Sequence, residues 1–245
     1  MKFNVLTLFP NLFKEFKNES IIKRAIDEGL IEINIINIRD FAFDKHKQVD
    51  DMPFGGGAGM VMKPEPLFRA LDTIRGKVIY MSPQGRPYNQ KLALELAQLE
   101  EITLIAGHYE GIDERVIESK VDMEISIGDY VLTGGEIPAM VIIDSVSRFV
   151  GEVIKKESYE NDSFFNGLLD YPHYTRPAVY EGIPVPEILL SGHHKNIEKW
   201  RLKESLKRTL LKRPDLLENY SLCKEEEKLL EEIKEEIKEE IKRGK

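Results

Sequence analysis

The chain has 245 residues, 42% of them hydrophobic and 32% charged, with a formal net charge of −8. That length and apolar content give room for a large core, in one or two domains, and exclude a disordered chain. No apolar run reaches the roughly 18–20 residues of a membrane span, no cleavable leader is legible behind Met1, and the single cysteine, Cys223, excludes an internal disulfide and fits a reducing cytosol.

Lys2 to Phe9 reads as a first strand ended by Pro10. Ser20 reads as the N-cap of a helix closed by Gly29, and Ile31 to Ile38 as a second strand. Arg39 to Pro66 is long and irregular, and such stretches inside a domain are usually functional. Its Gly55–Gly59 run lacks both the Gly-Lys-Ser/Thr ending and the preceding strand of a phosphate loop, so from the residues it is a hinge.

Lys77 to Met81 is a third strand, and Ser82 to Gly85 turns towards a helix over about Asn89 to Glu100. Ile102 to Ala106 and Met123 to Ile127 are strands with a helix between them. Each stops at a glycine, Gly107 and Gly128, and each opens into a loop that combines glycine with tyrosine and a carboxylate. Open α/β sheets bind ligands beyond the carboxyl ends of their strands, and glycine lets backbone groups approach a flat ligand. On that argument Gly107 and Gly135 keep clear the space a ligand needs. Strand alternating with helix implies a parallel sheet covered on both faces.

Ile137 to Val150 reads as a helix buried on most sides, with Arg148 on it as a core ion pair or a functional cation. Gly151 to Phe165 is a polar linker in which Asp162 is either a turn residue or a catalytic one. Lys195 to Arg213 carries eight Lys or Arg against two Glu, a local balance of +6 on a helix that Pro214 ends. Such a stripe is either a phosphate footprint or a solvated face. From Asp215 to Lys245 eleven acidic and seven basic residues give −4, and the EEIK repeats of Lys224 to Lys242 read as a solvent-exposed single helix. His193 and His194 are adjacent and lack an i, i+4 partner, so no zinc site is read there.

Several words in this sequence resemble a known family. They are YMSPQG (Tyr80–Gly85), GHYEGIDERV (Gly107–Val116), SIGDYVLTGGE (Ser126–Glu136), DSVSRF (Asp144–Phe149), DSF (Asp162–Phe164), GLLDYPHYTRP (Gly167–Pro177) and LLSGHH (Leu189–His194). From Met1 to about Tyr220 the chain resembles the bacterial tRNA (guanine-N1)-methyltransferases of the SPOUT superfamily.

The resemblance implies an α/β fold: a parallel sheet with helices on both faces, a trefoil knot between about Tyr80 and Phe149, and a small helical C-terminal domain. It divides the chain into a cofactor-binding domain over 1–158, a linker over 159–170 and a tRNA-binding domain over 171–245. It implies a cytoplasmic homodimer, with the active site at the subunit interface, that moves a methyl group from S-adenosyl-L-methionine to N1 of the guanosine immediately 3′ of the anticodon. Asp162 and Arg148 match the family's catalytic pair, and Ser163-Phe164 anchor the placement of Asp162.

The cofactor would lie among Tyr80, Met81, Ser82 and Pro83 of one loop and Gly107, Tyr109, Glu110 and Gly111 of a second. Ile127, Gly128, Asp129, Tyr130, Val131, Leu132, Gly134 and Gly135 form the third. Asp50, Gly59, Asp170, His173, Arg176, Lys207 and Arg208 would meet tRNA. Magnesium is a reported requirement of the family, with no ligand motif visible here, and His108 stands where some relatives carry arginine. Three rivals stay open: another RNA target, an RNA-binding module without catalysis, and a nucleotide-dependent α/β enzyme.

Overall fold

A computed structural model describes residues 1–244, without the side chains of residues 156 and 157. The chain forms two compact units, Met1–Lys155 and Lys156–Lys245.

The first unit is built on a five-stranded, wholly parallel sheet. In chain order its elements are β1 (Lys2–Thr7), α1 (Phe13–Asn18), α2 (Ser20–Asp27), β2 (Glu32–Asn37), the two-residue strands β3 (Asp50–Asp51) and β4 (Val61–Met62), and α3 (Pro64–Leu71). There follow β5 (Lys77–Pro87), α4 (Gln90–Leu96), β6 (Glu101–Ile105), α5 (Glu114–Lys120), β7 (Met123–Ser126) and α6 (Glu136–Ser147). The sheet order is β2-β1-β6-β5-β7.

Alternation along β1 decides what lies on each face. Phe3 and Val5 join Ile22 of α2, Leu92 of α4 and Ile142 of α6 in one buried cluster. Leu6 joins Leu67 of α3 and Val116 of α5 in the other. The sheet is thus covered on both sides, as parallel pairing requires.

Several local readings are corrected. Ser20 makes no capping bond: it is the first residue of α2, at φ +56°, behind an extended Glu19. The long segment after β2 is partly paired, since β3 and β4 form a short antiparallel ladder. β5 does not stop at Met81. Its register on β7 shifts between Met81 and Arg86, so Ser82–Gly85 bulges and the strand resumes. Pro83, which has no N–H to give a ladder, falls within that bulge. Nor is α6 buried on most sides, because Ile137 and Val141, four apart on one face, are 57% and 38% exposed. Arg148 is its C-cap residue rather than part of its apolar interior.

The second unit contains α7 (Lys156–Tyr159), a small ribbon of β8 (Val179–Tyr180) and β9 (Ile183–Pro184), α8 (Glu187–Leu190), α9 (His194–Lys212), α10 (Pro214–Glu218) and α11 (Lys224–Lys242). Pro214 opens α10, with Arg213 alone separating it from α9. α11 is not a single solvated helix. Leu229 and Ile233 are buried against Leu206 of α9 and Leu168. Each such side chain contributes about 1.5–3 kcal/mol, which outweighs the few tenths available from Glu–Lys pairs along one helix.

Candidate functional site

The bulged middle of β5 and the loops that follow β6 and β7 enclose a cavity of about 230 Å³. Tyr80 to Pro83 form one wall, Gly107 to Gly111 a second, and Ile127 to Gly135 most of a third. Of the residues singled out for cofactor binding, only Asp129, which is exposed, does not line it. Ile125, Ser126, Thr133, Pro138 and His108 line it as well and were not singled out. Pro138 sits in the first turn of α6, and Ile125 and Ser126 follow from the apolar run of β7, so those signals were present.

The walls are tied together by backbone and by one buried polar chain. The Gly135 N–H donates to the Gly107 carbonyl at 2.9 Å. A Cβ on Gly135 would stand 2.6 Å from the Ala106 Cα, closer than atoms pack. The reason for glycine here therefore differs from the expected one: it lets two protein backbones meet, and the space it keeps clear belongs to the strand end.

Beside this contact, His108 Nε2 lies 2.6 Å from Glu136 Oε2, and the Thr7 hydroxyl donates to Glu136 Oε1 at 2.6 Å. The same hydroxyl accepts the Phe9 N–H at 2.9 Å, which fixes the direction of its own proton. Glu136 is 3% exposed, so a buried carboxylate links β1, the second loop and the start of α6.

The glycine-rich segment comes alongside the second loop. The Glu110 N–H donates to the Met60 carbonyl at 3.0 Å, and the Met62 N–H to the Gly111 carbonyl at 2.9 Å. Gly59, at φ +84°, lies under the Glu110 side chain, where a Cβ would meet the carboxylate at 2.3 Å. Asp50, half-buried, pairs through β3 with Met62. Gly59 and Asp50 therefore stand beside the cavity's acidic end. Tyr80 is 7% exposed, and burial pushes its phenol above the ordinary tyrosine value, so it stays a neutral hydroxyl.

The remaining candidates are divided between the units. Arg148 is half-buried at the end of α6 in the first. Asp162 belongs to the second, where it lines a cavity of about 570 Å³ with Asp170, Tyr171 and Arg201 among others. Asp170 meets His173 at 2.7 Å, and Arg176 is exposed. Lys207 faces Glu240 of α11 at 3.3 Å, whereas Arg208 makes no ion pair among the described residues. No group of three or more His, Cys, Asp or Glu side chains among the described residues is arranged to hold a metal ion.

The first cavity combines apolar walls, from Met81, Ile127, Leu132 and Pro138, with one carboxylate, Glu110. That donor set suits a planar aromatic ligand with a cationic end.

A family model described as tRNA (Guanine-1)-methyltransferase TrmD matches residues 1–219. A protein of Fusobacterium nucleatum named tRNA (guanine-N(1)-)-methyltransferase is 68% identical, over 95% of this chain and 98% of its own length. Proteins of the same name from Desulforamulus reducens and Clostridium botulinum are each 55% identical over 95% of this chain, covering 95% and 98% of their own lengths.

Proposed function

This chain belongs to the tRNA (guanine-N1)-methyltransferase family, and from that premise we propose which of its residues hold each reactant. It transfers a methyl group to N1 of a guanine in tRNA. The donor in this reading is S-adenosyl-L-methionine, which supplies an electrophilic methyl group on a sulfonium. The observation that carries the reading is the meeting of the β5 bulge with the loops after β6 and β7 around one cavity in the first unit. Tyr80, Gly107 and Leu132 would bound the adenine, and Glu110 would face the cationic end.

The target is the guanosine immediately 3′ of the anticodon. Guanine N1 is protonated at neutral pH and is a poor nucleophile until that proton leaves. Asp162 accepts the proton, and Arg148 stabilises the negative charge that then builds on O6. The base must leave its stack to reach the methyl group. Asp50 and Gly59 of the first unit, and Asp170, His173, Arg176 and Arg208 of the second, hold the RNA.

The working form is a homodimer in the cytoplasm with a site shared between subunits. Two features support the dimer: the exposed apolar face of α6 (Ile137, Val141) and the exposed Tyr130 and Val131 beside the cavity. A helix that is apolar on nearly every side but covered on only some of them is suited to a partner. The trefoil-knot reading is supported by one crossing. β6 and β7 flank β5, yet the chain leaving β7 returns past β5 to bond the end of β6 through Gly135 and Gly107. No helix among the described residues is long and apolar enough to cross a membrane.

Calorimetry with S-adenosyl-L-methionine, paired with methyl transfer to tRNA and to ribosomal RNA, tests the whole. Cofactor binding with transfer to tRNA alone is expected. Transfer to ribosomal RNA in preference to tRNA would overturn the substrate, and no cofactor binding would overturn the cavity.

A further inference from the structure

Within the second unit, the segment at Leu169 and Asp170 is tied to α9 by side-chain bonds. The Leu169 N–H donates to Thr209 Oγ1 at 2.9 Å, and Ser205 Oγ donates to the Leu169 carbonyl. Ser205 and Thr209 are buried one turn apart on α9, so both backbone groups of Leu169 are fixed to that helix. The next residue is equally committed. The Asp170 N–H donates to Ser163 Oγ at 2.9 Å. Its carboxylate accepts the Tyr171 N–H at 2.7 Å through one oxygen and meets His173 Nε2 at 2.7 Å through the other. Asp170 thus has both oxygens occupied, and what it positions is the pair of rings beside it. Tyr171 and His173 lie with centroids 4.8 Å apart. The Arg201 guanidinium sits 4.8 Å from the Tyr171 centroid, is exposed, and makes no ion pair among the described residues.

We propose that Tyr171 and Arg201, with His173 beside them, form a stacking platform for an unpaired RNA base, a role that rests on the reading of the second unit as tRNA-binding. Three observations favour a base over a phosphate alone. The groups are planar, and planar cations and rings are what single-stranded bases stack upon. The Tyr171 N–H and His173 Nε2 are both held by the Asp170 carboxylate, so less ordering entropy is lost there on binding. And Tyr171 and Arg201 border the cavity of about 570 Å³ that Asp162 also lines, within the range of about 300–1,000 Å³ typical of ligand clefts. A phosphate site needs charge and tolerates flexible lysines. An exposed arginine 4.8 Å from a tyrosine centroid, without an ion pair among the described residues, offers a π-face and a positive edge together. The same platform would keep a nucleotide flanking the target beside Asp162.

The test is binding of the full-length protein to a tRNA anticodon stem-loop, followed by fluorescence anisotropy across a salt series. Tyr171→Ala is expected to weaken binding by about 5–150-fold, the loss of one stacked base, with an unchanged salt slope because no phosphate contact is lost. Tyr171→Phe should bind like wild type. Arg201→Lys keeps the charge and should still lose affinity, since an ammonium does not stack. In a series of stem-loops each carrying one abasic nucleotide, a single loop position should weaken wild type but not Tyr171→Ala.

Binding by Tyr171→Ala within about twofold of wild type, or an equal loss on a fully paired hairpin, would overturn the platform. If Tyr171→Ala fails to fold, Arg201→Lys decides: affinity and slope both like wild type overturn it. Methyl transfer to tRNA is measured alongside. A wild type that transfers to tRNA and a Tyr171→Ala that binds normally sink the platform alone. A wild type that transfers nothing to tRNA sinks the functional reading, and the affinity comparison still decides the platform.

Discussion

Gly135→Ala is a small change whose consequences follow from the contact between the third loop and the end of β6. The added Cβ would stand 2.6 Å from the Ala106 Cα and 2.9 Å from the Gly107 nitrogen. Both neighbours are backbone atoms, and Ala106 is 0% exposed, so nothing can swing aside to make room. Reaching the 3.4 Å of ordinary contact requires the start of α6 to move by about 0.8 Å. A shift of that size carries the 2.9 Å bond from the Gly135 N–H to the Gly107 carbonyl beyond hydrogen-bonding range. The lost bond costs about 0.5–1.5 kcal/mol, and overpacking of a tight contact about 1–3 kcal/mol. Urea unfolding of the full chain should therefore show a loss of roughly 2–4 kcal/mol. Two walls of the cavity separate at the same time, so calorimetry should show S-adenosyl-L-methionine binding at least about tenfold weaker. An alanine variant with the wild-type unfolding midpoint and wild-type cofactor affinity would refute the argument from backbone approach.

Other expectations follow from the same geometry. Thr7→Val removes the hydroxyl that donates to the buried Glu136 and accepts from Phe9. It should destabilise the fold by about 1–3 kcal/mol in denaturant unfolding, and an unchanged midpoint would count against the buried chain. Asp162→Asn should bind cofactor normally and slow single-turnover methyl transfer by about 10²–10⁴-fold, and a near-wild-type rate would remove Asp162 from the chemistry. Mixing Arg148→Ala with Asp162→Ala should restore part of the activity if the two residues act across a dimer, and no recovery after verified subunit exchange would place the site within one chain. Arg208→Ala should flatten the salt dependence of tRNA binding by roughly one unit per lost phosphate contact. Lys207→Ala should do so less, because Glu240 already faces that ammonium; equal effects would undo the distinction.

How much of this was legible in the sequence depended on whether the signal was local. The apolar runs that stop at Gly107 and Gly128 mark strand ends by themselves, and both open into the same cavity. Glu136 could be seen only as an acidic residue at a helix start. Its partners, His108 and Thr7, are 28 and 129 residues away, a separation that no window of periodicity spans. Asp129 shows the opposite case: it stands within a matching word, yet it is exposed and does not line the cavity.

The charges of the second unit show the same limit in quantitative form. Counted along the chain, Lys195 to Arg213 is a stripe of +6, eight basic residues less two acidic. In the structure α11 lies against α9, and Glu236 and Glu240 meet Lys203 and Lys207 at 2.6 and 3.3 Å. Exposed pairs of this kind add about 0–1 kcal/mol each, so they do not hold the helices together; Leu206, Leu229 and Ile233 do. What the pairs change is the field. They neutralise the side of α9 that packs on α11 and leave Arg201 and Arg208 without ion pairs among the described residues. The basic stripe thus becomes a one-sided surface, and the Glu–Lys repeats that looked like mere solvation decide which side of it keeps its positive charge.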